Sequence, residues 1–471
     1  MGYIGQPPAN KVVKTADIED NAVTSAKIDT DTIAAADLAP NSVDSSELVD
    51  GSIDTSHIGA LQVTGAKLNT DVISAQTALG ATPADTDELL VSDAGVLKRV
   101  DYSYLKGITA ANFRPNGLPI MINGDMSVAQ RSASVASISS GGLAYSTVDR
   151  IGYWIGTAGT WTQTQETLTS GNAWADGFTK ALKWDNTTAN GSLSAGSYLM
   201  TSLPFEGNSL QAFKKGTSNA EVLTLAFWVK ATKTGTNIIE LYDSDNTRQI
   251  SQAYTIDSTN TWEKKVMTFA ADTSADPWGN DNGRSLEIYF WWVAGTNYTS
   301  GSLNTSWTDG AANNTRTVGQ VNNADSTSNN IHLTGVQIEV GTYTSSTIPP
   351  FQHESYGDNK RRCQRYYETS FIDGQIPGTS VSGGNSGLNT SWADGNCPLP
   401  GGGKFKVSKR ATPTVVLYAR GSTTTGQLTS SGTARTAVAT QIGTEGVEYC
   451  AITSGTAAAY SGGSWTASAE L

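Results

Sequence analysis

From residue 13 to residue 73 an apolar side chain returns at every fifth position: Val13, Ile18, Val23, Ile28, Ile33, Leu38, Val43, Leu48, Ile53, Ile58, Val63, Leu68 and Ile73. A helix repeats at 3.6 residues and a strand at 2, so neither period accounts for the series. In steps of ten, positions 23, 33, 43, 53, 63 and 73 are all β-branched, and the alternate positions 28, 38, 48, 58 and 68 are Ile or Leu. Each β-branched residue is followed by Thr24, Ala34, Asp44, Asp54, Thr64 or Ser74, mostly good N-cap residues. Asp20-Asn21, Pro40-Asn41 and Asp50-Gly51 place turn formers between units. Each ten-residue unit therefore reads as a capped helical turn between two turns, and its repetition signals an array. One helical turn is far below the roughly 12–15 residues an isolated helix needs, and one chain carries too little apolar area here to offset ordering. The series predicts a self-associating shaft over 13–74 whose apolar residues meet those of other chains. A disordered linker and a pentapeptide-repeat β-helix remain open beside it. The latter finds small residues two places before the apolar one at Ala16, Asn21, Ala26, Ala36 and Ala66.

After the repeat the pattern changes. Residues 75–114 carry a hairpin signal, with Leu89, Leu90 and Val91 before "SDAG" and Val96 and Leu97 after it. From 115 to 345 alternation has period two. Leu223, Leu225, Phe227 and Val229 share one strand face, as do Leu286, Ile288, Phe290 and Trp292. Ile331 and Leu333 alternate, then Val336, Ile338 and Val340 continue one residue out of phase, which places a β-bulge at Gly335. Such strands between long polar loops predict a jelly-roll-like β-sandwich. Residues 346–369 read as a junction, with Pro349-Pro350 ending the sandwich and Asp358 capping a short helix. Its basic cluster, Lys360, Arg361, Arg362 and Arg365, reads as an interdomain salt-bridging face. Residues 370–471 read as a second, smaller β-sandwich. The fold class is mainly β, with an N-terminal shaft of short helix-turn units.

Composition fits this picture. Charged residues make up 16% of the 471, against about 25% in an average domain, and the 48 glycines suit strands joined by polar turns. A net charge of −12 without a long basic run argues against nucleic-acid binding. No 18-residue apolar stretch exists to span a membrane, and residues 1–12, "MGYIGQPPANKV", resemble neither a signal peptide nor a myristoylation site. Cys363, Cys397 and Cys450 are odd in number and widely spaced, so buried thiols are expected rather than a disulfide or zinc site.

Chemistry is sparse. His57 fills the repeat slot that Lys27 and Lys67 occupy and reads as an exposed spacer; His332 lies on a strand and His353 in the junction. None stands beside a nucleophile motif, and HExxH and GxSxG are absent. "DSDNTR" at 243–248 and "DPWGNDNG" at 276–283 read as solvated turns rather than calcium loops. No cofactor, metal ligand or catalytic residue is assigned. The twelve tryptophans hold most interest, because exposed indole faces stack on sugar rings. Strand phase assigns Trp228 and Trp292 to the core. Trp278, Trp307 and Trp392 lie in Gly/Asn/Asp-rich loops and Trp465 in a Gly/Ser-rich stretch; these four are the candidate receptor contacts.

Several stretches together resemble bacteriophage fibre proteins. "INGDMSVAQR" with "STVDRIGYW" resembles the start of a carbohydrate-binding-like sandwich of tail fibres. "LTGVQIEVGTYTSSTIPPFQHESYGDNKRRCQRYYE" is similar to a junction before fibre tips. "FKVSKRATPTVVLY" and "YSGGSWTASAEL" resemble the tip that follows, and the repeat resembles the supercoiled shaft of trimeric fibres on short-tailed phages. The resemblance implies a homotrimeric tail fibre, assembled in the host cytoplasm, with the thirteen period-five residues as trimer core. Residues 1–12 would then attach to tail or head proteins of the virion, and 370–471 would form the tip. It also implies adsorption by binding a host surface receptor, a glycan, without enzymatic activity. A head or collar fibre and a polysaccharide depolymerase are the readings kept beside it. The first dozen residues do not resemble the anchoring domain of the best-known tail fibres.

Overall fold

The computed structural model describes residues 12–40, scattered positions up to 81, 83–94, 96–105, 117–310, 312–379, 387–390, 396–397, 403–453 and 460–471. The chain divides into two compact units, Met1–Ala84 and Asp85–Leu471.

In the first unit a single 3-10 turn recurs at Thr15–Asp17, Ser25–Lys27 and Ala35–Asp37. Between turns the chain reverses through Asn21 and Asp31, both at positive φ, a conformation that short amide and carboxylate side chains tolerate. The capping differs from expectation. The residue before each turn accepts no bond through its side chain. Instead the third residue of the turn reaches back. Asp17 accepts from the Lys14 backbone N–H at 2.9 Å and Asp37 from that of Ala34 at 2.9 Å. At Asp54 both occur: its Oδ1 accepts from the Ser56 N–H at 2.8 Å, the cap expected of it, and His57 accepts at Nδ1 from the Asp54 N–H at 3.2 Å. His57 is thus exposed, as expected, and also a cap. Val13, Ile18, Val23, Ile28, Ile33, Leu38, Leu48, Ile53, Ile58 and Val63 are all exposed. Val43, Leu68 and Ile73 lie outside the described residues.

The second unit begins with a two-stranded hairpin, β1 (Glu88–Asp93) and β2 (Val96–Asp101), paired in register across the "SDAG" turn. A two-layer sandwich follows. One layer comprises β10 (Glu263–Phe269), β7 (Leu223–Ala231), β13 (Asn330–Val340) and β5 (Lys180–Thr188); the other comprises β6 (Tyr198–Glu206), β11 (Arg284–Ala294), β8 (Gly235–Asp243), β9 (Arg248–Ile256) and the short β12 (Thr308–Asp309). The 16-residue β4 (Gly152–Thr167) joins them. Its first half pairs with β6 and its second half with β5, while β3 (Ser134–Ala144) runs along it. The strand changes layer where Thr157 and Gly159 take positive φ. Only glycine fits the second position, because a Cβ there would stand 2.4 Å from the Thr188 carbonyl oxygen.

Between the layers Leu225, Phe227, Val229, Ile331 and Leu333 meet Ile239, Leu241, Leu286, Ile288, Phe290 and Trp292 in one buried cluster, with the Phe227 and Phe290 rings edge to face at 5.0 Å. The period-two alternation is therefore the core pattern. At Gly335 (φ 60) the β13 register slips, so Val336, Ile338 and Val340 rejoin the core out of phase. Trp292 is fully buried. Trp228 is not in this core: it lies on the opposite face of β7 from Phe227, half-buried against a small cluster with Phe178 and Phe351.

The remaining strands form the C-terminal sheet, β14 (Tyr367–Thr369), β15 (Gly387–Thr390), β16 (Asn396–Cys397), β17 (Thr414–Tyr418), β18 (Gln427–Ser430), β19 (Thr433–Ile442), β20 (Val447–Ile452) and β21 (Tyr460–Ser468). β21 pairs with β14 and β17 through its C-terminal half and with β15 and β18 through its N-terminal half. It wraps a small core of Phe405, Leu417, Leu428, Val447, Trp465, Cys397 and Cys450. All three cysteines are free and buried. Among the described residues no helix is long and apolar enough to cross a membrane.

Candidate functional site

The stretches that carry the resemblance converge on one joint. Asn123, of "INGDMSVAQR", donates through Nδ2 to the Val128 and Asp149 carbonyls at 2.9 and 2.8 Å. Its backbone N–H donates to Asn359 Oδ1, 3.1 Å away on the junction helix Tyr356–Gln364. Ser355 is that helix's N-cap, accepting from the Asp358 N–H, so Asp358 sits one turn inside and is not the cap itself. Gln130 donates to the Tyr367 carbonyl at 2.9 Å. Arg131 lies over the Tyr367 ring at 3.7 Å, and Arg150, of "STVDRIGYW", over Tyr366 at 3.6 Å. Both guanidiniums bind Glu470, next to the last residue. Burial pushes the Asp149 carboxyl up to about 7, against the pull of Arg131 at 3.2 Å. Two of the four cations in the basic cluster pair outside the junction, Lys360 with Asp373 and Arg365 with Glu206, whereas Arg362 pairs with Glu354 inside it. Arg361 stays exposed, 3.9 Å from Asp358. These motifs tie the C-terminal sheet to the sandwich.

The candidate aromatics are placed unequally. Trp465 is 6% exposed and packs on Phe405 in the core of the C-terminal sheet. The glycines beside it mark crowding, not openness, since a Cβ on Gly463 would meet the Tyr418 oxygen at 2.3 Å. Trp392 lies outside the described residues. Trp278 and Trp307, 29 positions apart, come together around the Lys215 ammonium, which lies 5.7 and 5.6 Å from their ring centres. That lysine is buried between Asp243 at 2.7 Å and Asp272 at 3.1 Å. Arg248 completes the group, 2.9 Å from Asp272. Trp278 is 7% exposed, edge to face with Phe213. Trp307 is half-buried and donates to the Ala270 carbonyl at 2.8 Å. Trp278 therefore belongs to the core, and of the four candidates only Trp307 is described with exposed surface.

The two loops read as solvated turns spend their oxygens on their own backbone and on each other, and Asp243 is buried rather than solvated. Asp243 Oδ1 accepts from the Asp245 and Asn246 N–H groups, Asp245 from Gly279, and Asp281 from Gly283. Among the described residues no His, Cys, Asp and Glu group is arranged to hold a metal. His332 Nε2 stands 2.9 Å from Glu166 and is depressed by burial. His353 packs on Phe178 and Phe351.

The sequence reasoning overlooked the outer face of the β4–β6–β11–β8 layer. There Trp154, Tyr198, Tyr242, Tyr289, Trp291 and Tyr298 gather over Met200 and Ile238. Trp154, Tyr198, Tyr242 and Tyr298 remain partly exposed. The Trp154 Nε1–H is buried without an acceptor. The available signal was the second alternating set on β11, Glu287, Tyr289 and Trp291, which is as aromatic as the inward set. Arg316 crosses this face, bonded twice to Glu240 at 2.8 and 3.0 Å and 5.3 Å from the Trp291 ring centre. Glu240 also accepts from Trp291 Nε1 at 2.8 Å. Aromatic rings with fixed polar groups between them can stack on and hydrogen-bond a sugar.

No protein-family profile matches the chain, and no curated protein matches it. Among solved structures it is similar to the enzymatically active domain of bacteriophage CBA120 tailspike protein 4, at 12% identity over 47% of this chain and 21% of that chain, with a TM-score of 0.24. It is also similar to a family 30 carbohydrate-binding module, at 12% identity over 51% of this chain and 97% of that chain, TM-score 0.25. A family 11 carbohydrate-binding module from Clostridium thermocellum, in complex with a β-1,3-1,4-mixed-linked tetrasaccharide, matches at 11% identity over 48% of this chain and 100% of that chain, TM-score 0.22.

Proposed function

We propose that the chain is a subunit of a homotrimeric bacteriophage fibre, carried on the virion and attached by its N-terminus, that binds a host surface glycan through its β domains without cleaving it. The observation that carries this reading is the period-five series. In one chain its ten described members are at least 42% exposed, although each is a large apolar side chain whose full burial is worth roughly 1.5–3 kcal/mol. The 3-10 turns that present them contain no buried residue. Such a series is stable when three chains wind together and cover it, which is the construction of a fibre shaft. Three copies of a weak site on one rigid particle gain effective concentration, so avidity exceeds single-site affinity by orders of magnitude.

The test uses the full-length chain on cells susceptible to the phage. Excess protein is expected to block adsorption and to release no reducing sugar from cell-surface polysaccharide. Steady release of oligosaccharide overturns the binding-only reading. Intact adsorption at saturating protein favours a head or collar fibre with a structural role.

A further inference from the structure

Beside the outer aromatic face lies an open recess formed by two separate loop segments. Thr296, Asn297, Tyr298 and Ser300 line one side, and Asn313 and Asn314 the other. It is shallow and open to solvent, with a volume of about 560 Å³. We propose that this recess is a binding site for an uncharged hexose unit of a glycan chain, an inference that rests on the glycan-binding reading above.

The backbone of the recess is fixed. Gly301 N–H donates to the Asn314 carbonyl at 2.9 Å, Asn304 N–H to Thr315 at 3.0 Å, and Thr317 N–H to Tyr298 at 3.0 Å. Asn297 N–H donates to Ala195 at 2.9 Å, which ties the first segment to the loop before β6. The second segment is anchored from below by Arg316, through its double bond to the buried Glu240. The two walls therefore hold their spacing without a ligand, which lowers the ordering cost of binding.

The side chains, by contrast, are unspent. Among the described residues the amides of Asn297, Asn313 and Asn314 make no hydrogen bond, and Asn297 and Asn313 are exposed. Each amide offers a donor and an acceptor side by side, matching adjacent hydroxyls on a pyranose ring. Tyr298 supplies the stacking element. Its ring is half-exposed and held by Tyr198 edge to face at 6.2 Å and by Trp291 at 5.2 Å. Tyr198 and the partly exposed Trp154 pack against the same outer cluster, so aromatic surface is available beside the recess for a further sugar. Charge decides the class. No residue lining the recess is ionised, and the nearby Arg316 is committed to Glu240. An acidic sugar would lose hydration here without meeting a free cation, so neutral sugars are selected.

The experiment arrays neutral gluco-, galacto- and manno-oligosaccharides beside sialylated and uronic-acid counterparts and probes them with the full-length chain. Neutral members are expected to bind. The double variant Asn297→Ala/Asn313→Ala is expected to weaken that binding at least tenfold with an unchanged melting temperature, because both side chains are exposed and unbonded. Tyr298→Leu, which keeps apolar bulk but removes the flat ring, is expected to weaken it similarly. Neutral binding that survives all three substitutions overturns the site while leaving glycan binding in place. Binding to acidic sugars alone overturns the assigned class. Binding to no array member by a protein that blocks phage adsorption overturns the site, whereas failure in both assays removes the glycan-binding reading itself.

Discussion

The joint between sandwich and C-terminal sheet rests on a few ionised residues, and their environments give it a pH signature. Burial pushes the Glu206 carboxyl up, but hydrogen bonds from Arg365 and Tyr366 outweigh it and hold the group below the usual carboxylate range. Arg365 Nε and its neighbouring nitrogen lie 3.0 and 2.8 Å from the two carboxylate oxygens. A carboxyl whose folded pKa is depressed stabilises the fold above its unfolded value, about 4.3. That stability is lost as pH falls through the folded value. Arg365→Met removes the paired cation and leaves Tyr366 and Arg150 alone against the burial penalty. The variant is therefore expected to melt several degrees below the native protein near pH 7, with the gap narrowing as pH falls and closing below the native protein's depressed folded value, where the carboxyl is protonated in both. Melting curves across pH 3–8 check this; a gap independent of pH means that Arg365 acts through packing alone.

At the scale of elements, the legible parts were those whose partner is on the same strand. Leu223, Leu225, Phe227 and Val229, and likewise Leu286, Ile288, Phe290 and Trp292, announce a buried face by alternation and do line the core. The slip at Gly335 was legible for the same reason, and the structure gives its cost. Gly335 sits at φ 60, and a Cβ there would fall 2.7 Å from Phe178 Cζ and 3.0 Å from Trp228 Cδ1. Gly335→Ala combines a left-handed backbone with that clash and is expected to cost on the order of 1–3 kcal/mol. Gly310, at φ 47 with nothing within 4 Å, separates the two causes. Gly310→Ala is expected to lower the melting temperature less, and equal losses would assign the whole effect to backbone strain. What sequence did not disclose depends on distant partners. The crossing of β4 between layers needs both β5 and β6 in place. Trp278 and Trp465 sit among loop-forming residues yet are buried, because Lys215 and Phe405 cover them from elsewhere in the chain. The recess at Tyr298 likewise exists only once residues 296–300 and 313–314 are brought together.

For the whole molecule the decisive question is what covers the repeat. If three chains bury the period-five series, a carboxylate placed in it has no partner inside the shaft and carries a large desolvation cost. Ile33 and Ile53 are 55% and 50% exposed in the single chain, and their side chains make no hydrogen bond that an aspartate would disturb. In a monomer Ile33→Asp with Ile53→Asp would thus be nearly neutral, as exposed substitutions usually are. In a trimer the pair introduces six unpaired carboxylates into the shared core, two from each chain. Light scattering on the full-length protein is expected to show three chains of 49.5 kDa each for the native sequence and dissociation for the double variant at neutral pH. Lowering the pH towards 4 protonates the introduced groups and is expected to restore part of the assembly. A native protein that scatters as a single chain, or a double variant that remains trimeric, would place the association elsewhere and leave the repeat's exposed apolar series without the role assigned to it.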